Sequence, residues 1–173
     1  MITTFVAETD LTEEQDAQLR QLLAIGFPER ASHFERQSWW LARPQWRLWL
    51  SDDDGRPLAH LGIERRRIGV GDHDVYVAGV GHVCTHPDQR GRGLGRELMH
   101  HLRAVMPAPV GFLTCGRHVV GFYEAAGWRE VPGPVEMTNV YTGERMVSTS
   151  HPPMVLGDGF PAGSPIDLRG LPW

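Results

Sequence analysis

The chain has 173 residues, a length that fits one domain and is short for two. Hydrophobic residues make up 41% of it and charged residues 22%, which excludes a disordered or fibrous protein. The formal net charge of −4 provides no basic field of the kind that nucleic-acid binding requires. All 17 basic residues are arginine, and the absence of lysine excludes Schiff-base catalysis and a Walker-type phosphate lysine.

The two cysteines, Cys84 and Cys115, have no metal-binding or redox spacing, so we expect reduced, buried thiols and no metal site. Residues Met1 to Glu8 lack the basic region and apolar core of a signal peptide. No apolar run reaches the roughly 18–20 residues that cross a bilayer. These features predict a cytoplasmic protein with no membrane partner and no nucleic-acid partner.

The predicted elements begin with a strand at residues 2–7. Thr12 and Gln15 then form a capping box that opens a helix, which Gly26 ends. Strands are predicted at residues 46–50, 58–68, 75–85, 110–114, 128–131, 135–141 and 145–149, and helices between residues 27 and 44, from residue 94 to 105 and at 119–126. This order predicts an α/β or α+β fold with one mixed sheet of about six to eight strands and about four helices.

Glycine and proline are abundant, with 20 and 13 residues, and predict many turns. Gly79 and Gly81 interrupt the strand at 75–85, which indicates a bulge or a close backbone approach. The three arginines at 65–67 are typical of a solvent-facing strand. The C-terminal segment, residues 132–173, is predicted to end in an ordered, draped tail that belongs to the single domain 1–173.

A glycine-rich turn, Arg90 to Gly95, follows a strand and opens a helix. Several backbone N–H groups and the positive end of the helix dipole then point at one spot, which suits a phosphate or pyrophosphate. The turn is not a Walker loop, since no Lys-Ser/Thr follows, and it lacks the context of the dinucleotide fingerprint. A tight strand-to-helix turn without a ligand is the alternative interpretation.

Residues 83–95 resemble the acetyl-CoA-binding motif of the GCN5-related N-acetyltransferases, the GNAT superfamily. The family pattern Arg/Gln-x-x-Gly-x-Gly/Ala is matched by Arg90, Gly93 and Gly95. The stretch Phe122 to Trp128 is similar to the family's Phe-Tyr-x-x-x-Gly-Phe/Trp block. The resemblance implies a single GNAT domain in which the strands at 75–85 and 110–114 splay apart in a V.

The resemblance also implies the residues that bind acetyl-CoA. Amides of the turn would bind the pyrophosphate, and pantetheine would lie between the two splayed strands. The predicted cofactor-binding residues are Val83, Cys84, Thr85, Arg90, Gly91, Arg92, Gly93, Leu94, Gly95, Arg96 and Tyr123. The family uses no metal and no covalent intermediate, because the amine attacks the thioester directly.

Two residues are predicted to be catalytic. Tyr123 occupies the family position of the general acid for the leaving thiolate, and a phenol is protonated at pH 7. His82, beside the two strand glycines, is the candidate base for the ammonium proton. The alternatives are that Tyr123 only packs on CoA, that His82 is a core residue, and that a water or the C-terminal carboxylate is the base.

Two branches of the family resemble the chain. Residues 133–143 and the end of the chain, 168–173, are similar to the aminoglycoside 2′-N-acetyltransferases. Residues 40–44, 59–62, 77–79 and 160–163 are similar to the rhizobial nodulation N-acyltransferases, which transfer a fatty acyl group from a carrier protein to a chito-oligosaccharide amine. Both branches acylate an amine of an aminosugar, so the resemblance implies that class of acceptor.

The first branch carries an acidic residue on the central strand, and Gly81 stands at that position here. This departure suggests an aminosugar with fewer ammonium groups, such as a kasugamycin-like antibiotic. The predicted substrate-binding residues are Glu29, Glu35, His82 and Trp173. The tail resembles one that returns to the acceptor pocket, so the segment 132–173 is expected to complete the acceptor site. Surface carboxylates at 29 and 35 and a core tryptophan at 173 are the alternative interpretations.

The sequence therefore predicts an acetyl-CoA-dependent N-acetyltransferase that acts on a primary amine of an aminosugar antibiotic and gives resistance or self-protection. The first alternative is a biosynthetic N-acyltransferase with a longer acyl donor, bound to CoA or to an acyl carrier protein. The second is a non-catalytic acyl-CoA-binding module. The expected partner is a small-molecule amine, and the family's tendency to dimerise leaves a homodimer open.

Overall fold

A computed structural model describes all 173 residues, which form ten strands and four α-helices. The strands are β1 (Ile2–Ala7), β2 (Trp46–Ser51), β3 (Pro57–Val70), β4 (His73–Thr85), β5 (Val110–Thr114), β6 (Arg129–Glu130), β7 (Val135–Thr138), β8 (Arg145–Ser148), β9 (Pro153–Leu156) and β10 (Ile166–Asp167). The helices are α1 (Glu13–Gly26), α2 (Ala31–Phe34), α3 (Leu94–Val105) and α4 (Val120–Ala125). The predicted mixed sheet and four helices are confirmed, with two more strands than predicted, β9 and β10, which both lie in the C-terminal tail.

The chain forms two compact units, and strands β3 and β4 contribute residues to both. Unit 1 contains residues 1–64 and 80–105, and unit 2 contains residues 65–79 and 106–173. In unit 1, β2 pairs antiparallel with β1 and with β3. Strands β1, β2 and β3 therefore form a three-stranded antiparallel layer in this unit.

Helix α1 begins as the sequence predicts. The Thr12 side chain accepts a hydrogen bond from the Gln15 amide at 3.2 Å, and the Gln15 side chain accepts one from the Thr12 amide at 3.0 Å. Leu22 and Leu23 of this helix are buried against Phe34 and Cys84. The apolar face of α1 therefore fixes both the short helix α2 and the end of β4 within unit 1.

In unit 2 the strand order is β6-β9-β5-β4-β3-β10-β7-β8. The β4–β5 pair is parallel and has three residue pairs, from Val77 with Val110 to Gly79 with Phe112. Strand β4 continues beyond this ladder to Thr85. The ladder between the two strands therefore ends at Gly79.

The tail differs from the prediction, because it contributes two strands. Strand β9 inserts between β5 and β6 and is antiparallel to both. Met154 and Val155 are fully buried there. A continuous apolar run is typical of a strand that is covered on both faces, and Pro153 is tolerated because it is the first residue of its strand.

No helix of the protein combines the length and apolar character that crossing a membrane requires.

Candidate functional site

The glycine-rich turn lies at the start of α3 in unit 1. Gly91 and Gly93 have positive φ angles of 77° and 84°, in the left-handed region that favours glycine. A Cβ atom at either position would meet nothing within 4 Å. Glycine at these two positions therefore permits the left-handed backbone of the turn. It also leaves the outside of the turn open, so a bulky anion can approach the backbone amides.

Helix α3 anchors this turn. Leu94, Leu98 and Leu102 are buried and hold the helix in unit 1. The Glu97 amide donates to the Gly93 carbonyl at 3.0 Å, so the first helical turn is closed while the preceding amides stay outside it. Arg90 and Arg92 belong to the turn and Arg96 to the first turn of α3, and all three side chains are exposed. This arrangement fits the pyrophosphate site that the sequence predicts.

The strand before the turn carries a buried thiol. Cys84 packs against Leu22, Leu23 and Phe34, and burial raises its pKa to about 12. The thiol is protonated at neutral pH and acts as a packing group, as predicted for both cysteines, since Cys115 is buried as well. Val83 and Thr85, the neighbours of Cys84, are half-buried.

His82 has a left-handed backbone conformation, with a φ angle of 55°. No other residue of β4 has a positive φ angle. The sequence placed the irregularity at Gly79 and Gly81 instead. The His82 Nε2 atom lies 2.7 Å from the Trp40 amide nitrogen and 2.6 Å from the Trp40 carbonyl oxygen. Burial, and then the charge of Arg47, lowers the pKa of His82 to about 4.

A network of buried polar side chains connects to the backbone of His82. The Arg47 side chain is 0% exposed and binds Glu8 through Nε at 2.6 Å and Nη2 at 3.3 Å. Its Nη1 donates to the Ser38 carbonyl at 2.7 Å and lies 3.4 Å from His60 Nε2. His60 Nδ1 lies 3.1 Å from the His82 carbonyl oxygen. The network thus runs from Glu8 to the left-handed residue.

Sequence reasoning missed this network. Its signal is weak, because Arg47 interrupts the apolar strand Trp46–Ser51 and His60 lies in an apolar stretch of β3. A charge within a strand that otherwise reads as buried indicates a partner elsewhere in the chain. The partner Glu8 lies 39 residues away from Arg47, outside any local motif.

Tyr123 lies on α4 in unit 2, and its side chain is largely buried. The ring makes edge contacts with Phe122 and Trp128, with ring centres 5.0 Å and 5.8 Å apart. Burial, and then the nearby Cys115, raises the pKa of the Tyr123 phenol above its usual range. The hydroxyl therefore carries its proton throughout the physiological pH range.

The predicted acceptor residues are spread over both units. Glu29, in a short 3-10 helix before α2, and Glu35, just after α2, are exposed carboxylates in unit 1. Trp173 is half-buried in unit 2, where its ring meets Phe112 edge-on at 5.8 Å.

The family model of nodulation protein A (NodA) matches residues 3–158. The chain belongs to the NodA family. Nodulation protein A of Sinorhizobium terangae is 32% identical over 145 residues, which cover 79% of this chain and 70% of that protein. The NodA-family match therefore includes β4, the glycine-rich turn and α4.

Solved structures show the fold of this NodA-family chain. Escherichia coli ElaA covers 89% of the chain and 97% of its own length, with a TM-score of 0.60 and 18% identity. A GNAT family acetyltransferase from Brucella melitensis, solved with acetyl-CoA, covers 99% and 96%, with a TM-score of 0.54 and 17% identity. Family and fold together identify the chain as an acyltransferase with the fold of the GNAT acetyltransferases.

The comparisons change the balance between the functional alternatives. They support acyl transfer and give no support to an antibiotic acceptor or to a role in resistance. NodA membership favours the alternative of a biosynthetic N-acyltransferase with a longer acyl donor over acetylation of an aminosugar drug.

Proposed function

We propose that the protein is a biosynthetic N-acyltransferase that moves a long acyl group from a thioester to a primary amine of an aminosugar. The donor is acyl-CoA or an acyl carrier protein, which share the phosphopantetheine arm. The observation that carries this proposal is the NodA-family match over residues 3–158. The open glycine-rich turn supports it from the chain's own geometry, since it suits the phosphate end of such a donor.

The turn residues bind the donor through backbone amides and nearby arginines in this proposal. Gly91 and Gly93 keep the approach free of side chains, and Arg90, Arg92 and Arg96 supply positive charge. Val83, Cys84 and Thr85 contribute strand backbone, because the side chain of Cys84 is committed to packing. These assignments need no metal.

The chemistry is a direct displacement. The neutral amine attacks the thioester carbonyl carbon, a C–N bond forms, and the C–S bond breaks. The leaving sulfur takes the proton of the Tyr123 hydroxyl, and the proton that the new amide nitrogen loses returns through water to the Tyr123 oxygen, which restores the hydroxyl. Tyr123 suits this role because its hydroxyl is protonated at neutral pH.

His82 acts as a positioning residue in this proposal rather than as the base. A side chain whose pKa is about 4 is a weak proton acceptor for an alkylammonium, and its Nε2 atom is engaged by Trp40. Its contribution is to hold the segment around Trp40 next to the left-handed bend of β4. The proton of the amine nitrogen then passes through water to the Tyr123 oxygen.

Exposed carboxylates are the proposed contacts for the acceptor. Glu29 and Glu35 lie close together in sequence around α2 and can attract the ammonium form of an aminosugar before it loses its proton. Each contact on the surface contributes little affinity alone, about 1 kcal/mol or less. The single variants E29Q and E35Q should therefore raise the acceptor KM only a few-fold.

Acyl transfer tests the proposal directly. The purified protein is incubated with CoA thioesters from acetyl to hexadecanoyl and with hexadecanoyl acyl carrier protein, and a chito-oligosaccharide with one free amine is the acceptor. Thiol release should accompany a product that carries one acyl group, with long donors preferred. The same oligosaccharide with its amine acetylated is the matched control and should give no product. Donor binding without transfer would favour the non-catalytic module.

A further inference from the structure

The last residue of β4 that pairs with β5 lies against a side chain of the C-terminal tail. Gly79 pairs with Phe112 there, and a Cβ atom built on Gly79 would overlap the indole ring of Trp173. The indole thus lies flat against the backbone of β4, in the space that any other side chain at position 79 would fill. Gly79 is the close approach that the sequence predicts, and its partner is the tail.

The surroundings of this indole are apolar. Phe112 is fully buried, and Phe160 stacks on it with ring centres 5.9 Å apart. Trp173 and Phe160 both pack against the cluster that contains Val77 and Val110. The indole therefore covers an apolar floor at the point where the β4–β5 ladder ends.

One side chain fastens the tail that carries the indole. Arg66 Nη1 donates to the carbonyls of Leu171 at 2.7 Å and Leu168 at 3.2 Å. Its guanidinium also lies over the Trp173 ring, 4.7 Å from the ring centre. The prediction of a solvent-facing arginine is wrong for Arg66, which is half-buried and binds the tail.

We propose that Trp173 determines the length of the acyl chain that the protein accepts. An extended thioester can add to strand backbone only where a ladder has ended, because the backbone groups of a ladder are already paired. The indole occupies the apolar surface beside Gly79, so its size limits how far an acyl chain can extend along that surface. This inference rests on the proposed function, and it assigns one residue to donor selectivity.

The test compares wild type with W173A and W173F across saturated acyl-CoA donors of increasing length. Removing the indole opens apolar space, and each additional buried methylene contributes about 0.8 kcal/mol, or about fourfold in affinity. The preferred chain of W173A should therefore be several carbons longer than that of wild type, and W173F should be intermediate. Calorimetric donor affinity and kcat/KM of transfer should shift together.

The L171A variant is the matched control, because it removes apolar surface from the same tail and keeps the indole. Its preferred chain length should equal that of wild type, and melting curves of all variants identify any loss of folding. An unchanged length profile in a folded W173A variant, by both affinity and kcat/KM, would overturn this inference and leave the proposed function intact. Wild-type protein that neither binds nor transfers any acyl group would overturn both.

Discussion

The lowered pKa of His82 on β4 leads to a prediction about stability and pH. The folded protein lowers the pKa of His82 from 6.5 to about 4, chiefly through burial and then through Arg47. Between these two values the unfolded chain binds a proton that the folded chain does not. The free energy of unfolding therefore falls as the pH decreases through this window.

The size of the effect follows from the shift. A difference of one pKa unit corresponds to 1.36 kcal/mol, so His82 costs the folded state about 2 kcal/mol at pH 5 and almost nothing at pH 7. Burial also lowers the pKa of His60. This shift likewise reduces the free energy of unfolding as the pH decreases.

The H82Q variant removes one of these two contributions. Glutamine retains an amide near the position of Nε2 that can bond the Trp40 backbone, but it does not titrate. Urea unfolding followed by circular dichroism at pH 7 and pH 5 should show that H82Q loses about 2 kcal/mol less than wild type on acidification.

The control for this experiment is H73Q, which changes an exposed histidine of the same strand. It should follow the wild-type unfolding profile. Parallel losses in wild type and H82Q would refute the argument, because they would mean that His82 titrates equally in the folded and unfolded states.

Three further predictions concern the donor site and the buried network. Y123F should lower kcat about 100-fold or more with little change in donor affinity, because it removes the proposed proton donor; equal kcat in stopped-flow thiol release would exclude that role. G93A should weaken donor binding in calorimetry, because a left-handed φ costs a residue with a Cβ about 1–2 kcal/mol, whereas unchanged affinity would show that this turn does not bind the donor. R47M leaves Glu8 paired with Arg43 alone and deprives the Ser38 carbonyl of its Arg47 donor, so the unfolding free energy should drop by up to about 3–5 kcal/mol. A loss below 1 kcal/mol in R47M would contradict that network, and R47M/E8Q should recover part of the loss.

Local patterns accounted for the predictions that the structure confirms. The capping box of α1 depends on Thr12 and Gln15, which are three residues apart. The glycine-rich turn likewise depends on adjacent residues. In both cases the interacting residues are only a few positions apart, so the sequence pattern alone predicts the local structure.

Distant partners explain the features that the sequence did not reveal. His82 bonds a residue 42 positions away, and Arg66 binds carbonyls more than 100 positions away. Strand β9 was missed for a different reason, because the prolines before its short apolar run resemble a loop. In each case tertiary packing decided the outcome.

The most direct test of the central claim is the chemical nature of the acylated product. A chito-oligosaccharide with one free amine is incubated with the protein and a hexadecanoyl thioester, and the product is analysed by mass spectrometry before and after hydroxylamine treatment. The account predicts one added acyl group in an amide linkage, which survives the treatment. An acyl group that hydroxylamine removes would reveal transfer to a hydroxyl, and an unmodified acceptor beside hydrolysed donor would reveal a thioesterase; either result would contradict the account.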